Sequence, residues 1–296
     1  MNTGRARCSG ESLMSMHESK IPAQLEARIE MSDGLAIFRF ALARDFSFDP
    51  GQYATLWLTH GGKTLARPYS IASSSSEKRH LEFYINLVKE GKLTPSLWES
   101  EVIEGLRSED PGTRGAITGP RGRFVMDPED FRDYVFVASG TGLAPFISMI
   151  RKLNEDFLLS PKTFRPRRIY LIHGVSYPTH LGYRDELERL AAETMKDPKR
   201  KLALLYLPTI SRPYMDSSWT GLKGRAETLL ETPSVRRLGT PDLVETIKAV
   251  LSTAIQPQTH AVYVCGHPGT VDHVVNALSK RGFRLDADIK REKYYP

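Results

Sequence analysis

Four short strings combine residue types able to hold a phosphorylated, aromatic ligand. Ser139-Gly140-Thr141-Gly142-Leu143-Ala144-Pro145 stands between an apolar run and a helical pattern. Glycines there let backbone approach a ligand, and the N–H groups opening the helix meet a diphosphate with the positive end of the helix dipole. Ala66-Arg67-Pro68-Tyr69-Ser70 ends a β segment and joins a guanidinium for phosphate, a planar ring for stacking and a hydroxyl for hydrogen bonding. Gly91-Lys92-Leu93-Thr94-Pro95 is a turn feeding a helix start, with Thr94 as expected N-cap and Pro95 at the first helical position. Val262-Tyr263-Val264-Cys265-Gly266-His267-Pro268-Gly269 runs from a buried strand into a glycine turn. It carries a thiol to the carboxyl edge of its sheet, where open α/β sheets bind ligands, so Cys265 is expected in the crevice with Gly140 to Pro145.

Two rhythms position these strings. Between residues 24 and 31, Leu25, Ala27, Ile29 and Met31 alternate with polar residues, and Ser32-Asp33-Gly34 then turns into Leu35 to Leu42, which predicts an antiparallel hairpin. Tyr53 to Leu58 and His80 to Val88 read as further strands. From Asp133 the pattern becomes continuous apolar strands (Asp133 to Ala138, Arg168 to His173, Leu202 to Leu207, Ala261 to Val264). Helical periods separate them at Phe146 to Leu153, Tyr183 to Met195, Pro241 to Leu251 and Thr270 to Lys280. That is a parallel sheet built from βαβ units. The expected fold is therefore a two-domain chain, an antiparallel β-barrel followed by an α/β parallel-sheet domain. The boundary falls near Pro128: a polar tail over 1–20, one domain over 21–128 and the second over 129–296.

With 296 residues, 40% of them hydrophobic and 26% charged, the chain has material for two ordinary cores. Cys8 and Cys265 are its only cysteines, which excludes a four-cysteine zinc site or iron–sulfur cluster within it. No His-Glu-x-x-His or Gly-x-Ser-x-Gly string occurs, and the eight histidines show no metal-ligand spacing. His60-Gly61-Gly62-Lys63-Thr64 ends like a P-loop, but Trp57 stands where the first glycine is needed. A net charge of +6 suits an acidic partner, whereas no nucleic-acid-binding signature accompanies it. Neither a membrane-spanning apolar run nor a signal-peptide stretch is found, and the expected location is the cytoplasm.

Taken together and in this order, the strings resemble the ferredoxin:NADP reductase family, its bacterial FAD-containing members in particular, over about residues 21 to 296. The resemblance implies that Arg67, Pro68, Tyr69 and Ser70 bind FAD, and that Leu93 and Thr94 lie at its diphosphate. It implies that Gly140, Thr141, Gly142 and Pro145 take the NADP diphosphate. Tyr263, Cys265 and Gly266 match the string beside the nicotinamide, and Arg291 to Pro296 resembles the family's Glu-Lys-Tyr-Trp-like tail. Ser70, Cys265, Glu292 and Tyr295 are then the expected catalytic group, with Tyr294 or Tyr295 covering the flavin face opposite Tyr69. Ser211, Arg212 and Arg225 match the family's 2′-phosphate site. The chain departs from that pattern at Pro213, where an acidic residue is usual, and at Ser176, where some members carry arginine.

The implied activity is electron exchange between NADP(H) and a one-electron carrier, ferredoxin or flavodoxin, through FAD. Two other readings stand beside it: an NADH-dependent single-flavin reductase of an oxygenase or cytochrome system, and a regulatory subunit that keeps flavin without turnover. Ser70, Cys265 and Glu292 argue against the last.

Overall fold

The computed structural model describes residues 19–60, 62–100, 114–197, 199–215, 218–231 and 243–294. Of the expected tail, only Ser19 and Lys20 fall among them, and the Lys20 ammonium sits 3.7 Å from the centre of the Trp57 ring.

The first sheet holds β1 (Ile21–Ser32), β2 (Leu35–Leu42), β3 (Tyr53–His60), β4 (Lys63–Ser70), β5 (His80–Asn86) and β6 (Arg114–Arg121), all antiparallel, in the order β4-β3-β6-β1-β2-β5. Its two edge strands meet where Ile71, next after β4, bridges Phe83 of β5, so the sheet curls into a barrel. The β1–β2 hairpin turns at Asp33-Gly34, with Gly34 at φ +80°, a conformation that costs glycine little. Inward residues such as Leu25, Phe38, Phe40, Leu56 and Phe83 fill the barrel. A short helix, α1 (Leu93–Trp98), plugs one end and sets the Trp98 ring 4.8 Å from that of Phe38.

Thr94 does not cap this helix, contrary to the sequence reading: Lys92 is at the N-cap and Thr94 lies inside the first turn. Its hydroxyl accepts from the Val88 N–H at 3.0 Å and donates to the Val88 carbonyl at 3.1 Å. Those bonds close the Val88–Gly91 turn, and Pro95 is tolerated one place further in because first-turn N–H groups have no intrahelical acceptor.

The second sheet is parallel throughout. Its strands are β7 (Asp133–Ser139), β8 (Arg167–Val175), β9 (Leu202–Ile210), β10 (Leu222–Lys223), β11 (His260–Gly266) and β12 (Ile289–Lys293), in the order β10-β9-β8-β7-β11-β12. Helices α2 (Ala144–Leu159), α3 (Arg184–Lys196), α4 (Leu243–Ala254) and α5 (Pro268–Ser279) connect them. Strands β7 and β11 are buried along almost their whole length, which explains their unbroken apolar sequence.

The sheets share one apolar cluster: Leu35, Ile37, Ala72 and Tyr84 from the barrel side pack with Phe136, Leu143, Phe146 and Tyr183. Polar groups across this junction are paired. Arg151 on α2 donates to Glu82 on β5 at 2.6 Å and to Glu186 on α3 at 2.8 Å, while Arg39 on β2 reaches the other oxygen of Glu82 at 3.1 Å. Glu82 is nearly buried, so this double pairing is what makes its charge tolerable there. The Tyr84 hydroxyl donates to the His180 carbonyl at 3.0 Å and accepts from the Gly182 N–H at 3.1 Å, tying β5 to the loop after β8.

Candidate functional site

From β7 the chain winds outward through β8, β9 and β10, then returns to place β11 on the other side of β7. The turns leaving β7 and β11 therefore diverge at a topological switch point, where open α/β sheets form a crevice. A cavity of about 1110 Å³ opens there and continues onto the barrel. Arg67, Pro68, Tyr69 and Ser70 line it from β4, and Gly91 to Thr94 from the turn into α1. Gly140 and Thr141 line it after β7, Gly174 to Ser176 at the end of β8, Ser211 after β9, Arg225 after β10, and Gly266 with His267 at the end of β11. Glu292, Lys293 and Tyr294 close it from the end of β12.

On the barrel wall the contacts come from side chains. Arg67 is exposed and, among the described residues, donates to the neighbouring Ala66 carbonyl alone, at 2.8 Å, so its guanidinium is available to an anion. Tyr69 packs against Phe83 with ring centres 6.0 Å apart, and burial pushes its hydroxyl up to about 12. Ser70 ends the strand, and its Oγ is buried without a hydrogen-bond partner.

Two further buried oxygens without partners, Tyr294 Oη and Glu292 Oε2, come from the tail. The Tyr294 hydroxyl lies beside Ser70 and Cys265, yet it makes no hydrogen bond of normal geometry with either. Burial raises the Glu292 carboxyl to about 7 and the Tyr294 hydroxyl well above the phenol range. Buried polar atoms are rarely left unpaired, and three of them gathered beside a stacking ring fit a flat ligand with a polar edge, as a flavin and a nicotinamide both have.

Across the cavity the contacts come from turns. Gly140 to Leu143 fold as a 3-10 turn ahead of α2, with Gly140 at φ +56°. Gly142 and Pro145, expected at the nucleotide diphosphate, lie in the same turn and helix start but are not among the residues that line the cavity. A Cβ on Gly142 would come within 2.6 Å of the Gly266 Cα, so that glycine serves the crossing of two turns. Gly266 is at φ +130° with Ser139 where a side chain would go, and the His267 N–H donates to the Ser139 hydroxyl at 2.8 Å.

Cys265 stands at the carboxyl edge, in register with Glu292 and Ala138. It is fully buried and does not line the cavity, contrary to expectation, because Tyr294 and Glu292 lie against it; burial raises its thiol well above the usual range. Arg212 also lies outside: it is exposed and donates to the Tyr177 hydroxyl at 2.7 Å, stacked over that ring. Arg225 does line the cavity, 3.4 Å from the buried carboxylate of Glu227. Tyr295 lies outside the described residues.

Sequence reading missed Tyr84, Asn86, His180, Glu227 and Lys293 on the walls. Charged residues in β12 concealed a strand, and Tyr84 reads as one more barrel residue until its hydroxyl is seen crossing to His180.

An oxidoreductase FAD-binding domain model matches residues 22–126, and an oxidoreductase NAD-binding domain model matches residues 136–276. The chain belongs to the ferredoxin–NADP reductase family. It is 30% identical over 203 residues to ferredoxin–NADP reductase B of Sorangium cellulosum, covering 69% of each chain. It is also 26% identical over 265 residues to the phenol hydroxylase P5 protein of Acinetobacter pittii, covering 90% of this chain and 63% of that one. Among solved structures, a ferredoxin NADP+ reductase from Neisseria gonorrhoeae with bound FAD and NADP superposes with a TM-score of 0.69 at 20% identity, covering 94% of this chain and 98% of that one; at that identity the likeness is one of fold. Family membership makes the chain an oxidoreductase with FAD-binding and NAD(P)-binding domains. Among the described residues no helix is long and apolar enough to cross a membrane, and no cluster of metal-ligating side chains occurs.

Proposed function

We propose that the protein exchanges electrons between NADP(H) and an acidic one-electron carrier, ferredoxin or flavodoxin, by way of FAD. One observation carries this reading: a single cavity is walled by Arg67, Tyr69 and Ser70 from one domain and by Gly140, Thr141, Ser211 and Arg225 from the other. The two ligands are then held against each other, and the alignment of reacting atoms is supplied by the fold. The chemistry that FAD would supply there is acceptance of a hydride and release of single electrons.

In this reading Arg67 holds the flavin diphosphate, and Tyr69 stacks on the ring system. Ser70 hydrogen-bonds its edge, and Leu93 and Thr94 close the diphosphate end through backbone, since the Thr94 hydroxyl is engaged by Val88. Tyr294 covers the second flavin face and moves aside for the nicotinamide. Gly140, Thr141 and Gly266 bind the nucleotide through backbone, and Glu292, near its midpoint at neutral pH, holds or releases a proton beside the nicotinamide. Cys265 backs this pocket from behind Tyr294. Ser211 and Arg225 read the 2′-phosphate, and the net charge of +6 favours an acidic carrier.

A second reading, an NADH-dependent single-flavin reductase of an oxygenase or cytochrome system, draws on Arg212, Ser176 and Glu227. Arg212 is parked on Tyr177, Ser176 carries no charge, and Glu227 sets a buried carboxylate beside Arg225. One experiment tests both. The purified protein is expected to be yellow with FAD and to bleach with NADPH at lower concentration than with NADH, then reduce ferredoxin or flavodoxin. Preference for NADH selects the second reading, and a colourless chain that cannot be reconstituted with FAD defeats both.

A further inference from the structure

His173 lies on β8, fully buried beneath the turn that follows β7. Its Nε2 is 3.3 Å from the Gly140 carbonyl oxygen, and its Nδ1 is 3.4 Å from the Tyr206 hydroxyl on β9. A carbonyl oxygen only accepts, so Nε2 carries the proton and Nδ1 takes the hydrogen of Tyr206. Burial lowers the imidazole to about 4, so the ring stays neutral and donates through one nitrogen only.

Gly140 opens the 3-10 turn, and the bond from His173 comes to its carbonyl from outside that turn. The residue sits at φ +56°, and no side chain or more distant backbone lies within 4 Å of where its Cβ would be. In a planar trans peptide the carbonyl and the next N–H point in opposite directions. With the Gly140 carbonyl drawn inward to His173, the Thr141 N–H is turned outward, and Thr141 lines the cavity.

We propose that His173 is the positioning residue of the nucleotide loop: through the Gly140 carbonyl it aims the Thr141 N–H at the diphosphate of the nicotinamide nucleotide. Tyr206 belongs to the same device, because its hydroxyl holds the ring in the tautomer that keeps the proton on Nε2. The inference rests on Gly140–Thr141 being the diphosphate loop.

The test uses the full-length FAD-loaded protein, with NADP+ binding followed by calorimetry and the His173 ring nitrogens by 15N NMR. In the wild type at neutral pH the ring is expected neutral with its proton on Nε2. His173→Leu is expected to weaken NADP+ about tenfold, leaving FAD content and the rate of flavin reduction at saturating NADPH within about twofold. His173→Gln, which can donate at the Nε2 position and accept from Tyr206, is expected to recover binding to within about threefold of wild type. Tyr206→Phe is expected to weaken it about two- to threefold and to shift the tautomer signal. The inference is overturned if His173→Leu holds FAD and binds NADP+ as the wild type does. It is equally overturned if affinity, FAD content and flavin reduction fall together in His173→Gln, the mark of a merely structural role. If His173→Leu does not fold, unchanged affinity in Tyr206→Phe, or a wild-type ring protonated on Nδ1, overturns it. A wild-type protein that binds neither NADP+ nor NADH defeats the loop reading itself, a result told apart because it appears before any substitution.

Discussion

On the β4 wall the groups facing the cavity are side chains, Arg67, Tyr69 and Ser70, standing on a regular antiparallel strand; on the opposite wall much of the lining is backbone, in the Gly140–Thr141 turn and at the strand ends Gly174–Val175 and Gly266. A strand presents alternate residues to one face, so its chemistry can be changed a side chain at a time. A turn presents N–H groups whose direction is set by whatever packs beneath it, as Gly142 packs on Gly266. Substitution of the β4 side chains should therefore alter binding and spare the fold, whereas substitution at the turns should alter both.

The largest break in this contrast is expected from Gly142→Val. Its side chain would meet the Cys265 carbonyl and the Gly266 Cα, both backbone atoms that cannot rotate away. The expected cost is about 3 kcal/mol of unfolding free energy, read from urea denaturation, with NADP+ binding lost together with stability. Gly140→Ala, where the space is open, is the control and should cost about 1 kcal/mol through its positive φ alone. Equal costs would mean that the turns do not support one another.

Glu292 supplies the next effect. Its folded-state carboxyl is raised from 4.5 to about 7 by burial, so the folded chain binds the proton more tightly than the unfolded one. That contribution to stability is fully present below about pH 4.5 and lost as the pH rises through 7, by up to about 3 kcal/mol. Thermal unfolding of Glu292→Gln should lack this slope between pH 4.5 and 7.5, and a parallel pair of curves for variant and wild type would refute it.

Arg67→Ala sharpens the comparison from the other wall. Among the described residues the guanidinium hydrogen-bonds its neighbour's carbonyl alone, so stability without flavin should move by less than about 0.5 kcal/mol. FAD affinity should fall about ten- to a hundredfold, the loss expected for a charge-assisted phosphate contact. Arg225→Ala should do the same to NADPH and not to NADH, while Arg212→Ala has the smaller effect because Arg212 lies outside the cavity. Equilibrium titration of each variant with FAD, NADPH and NADH decides among these outcomes.

The elements legible in the sequence were those whose apolar pattern is their own. Strands β7 and β11 are buried on both faces and read as strands without help, and the β1–β2 hairpin announced itself by alternation and Asp33-Gly34. Strand β6 carries glycines, a proline and arginines and is a strand only because β1 and β3 flank it. Strand β12, Ile-Lys-Arg-Glu-Lys, is likewise made by its neighbour β11. At the site, strings of local backbone chemistry carried Arg67, Tyr69, Ser70, Gly140 and Thr141 to the cavity. Cys265, Gly142, Pro145 and Arg212 do not line that cavity, because packing, which spacing along the chain does not encode, places them behind or beside its walls.

The smallest effect separates a hydroxyl that awaits a ligand from one that is merely buried. The Tyr294 backbone N–H donates to the Gly266 carbonyl at 2.9 Å, which anchors the main chain at the cavity whether or not the hydroxyl is paired. That hydroxyl is buried near Ser70 and Cys265 without a partner, and leaving such a group unpaired costs about 1–3 kcal/mol. Tyr294→Phe keeps the ring and removes the orphan, so the FAD-free protein should gain about 1 kcal/mol in stability. With FAD bound the gain should shrink or reverse where the hydroxyl finds its partner in the ligand, and FAD affinity should fall by about threefold. Thermal unfolding of wild type and variant with and without FAD gives both numbers. A gain of the same size in the two states would show that the hydroxyl contacts no ligand, and Tyr294 would then serve the site through its ring alone.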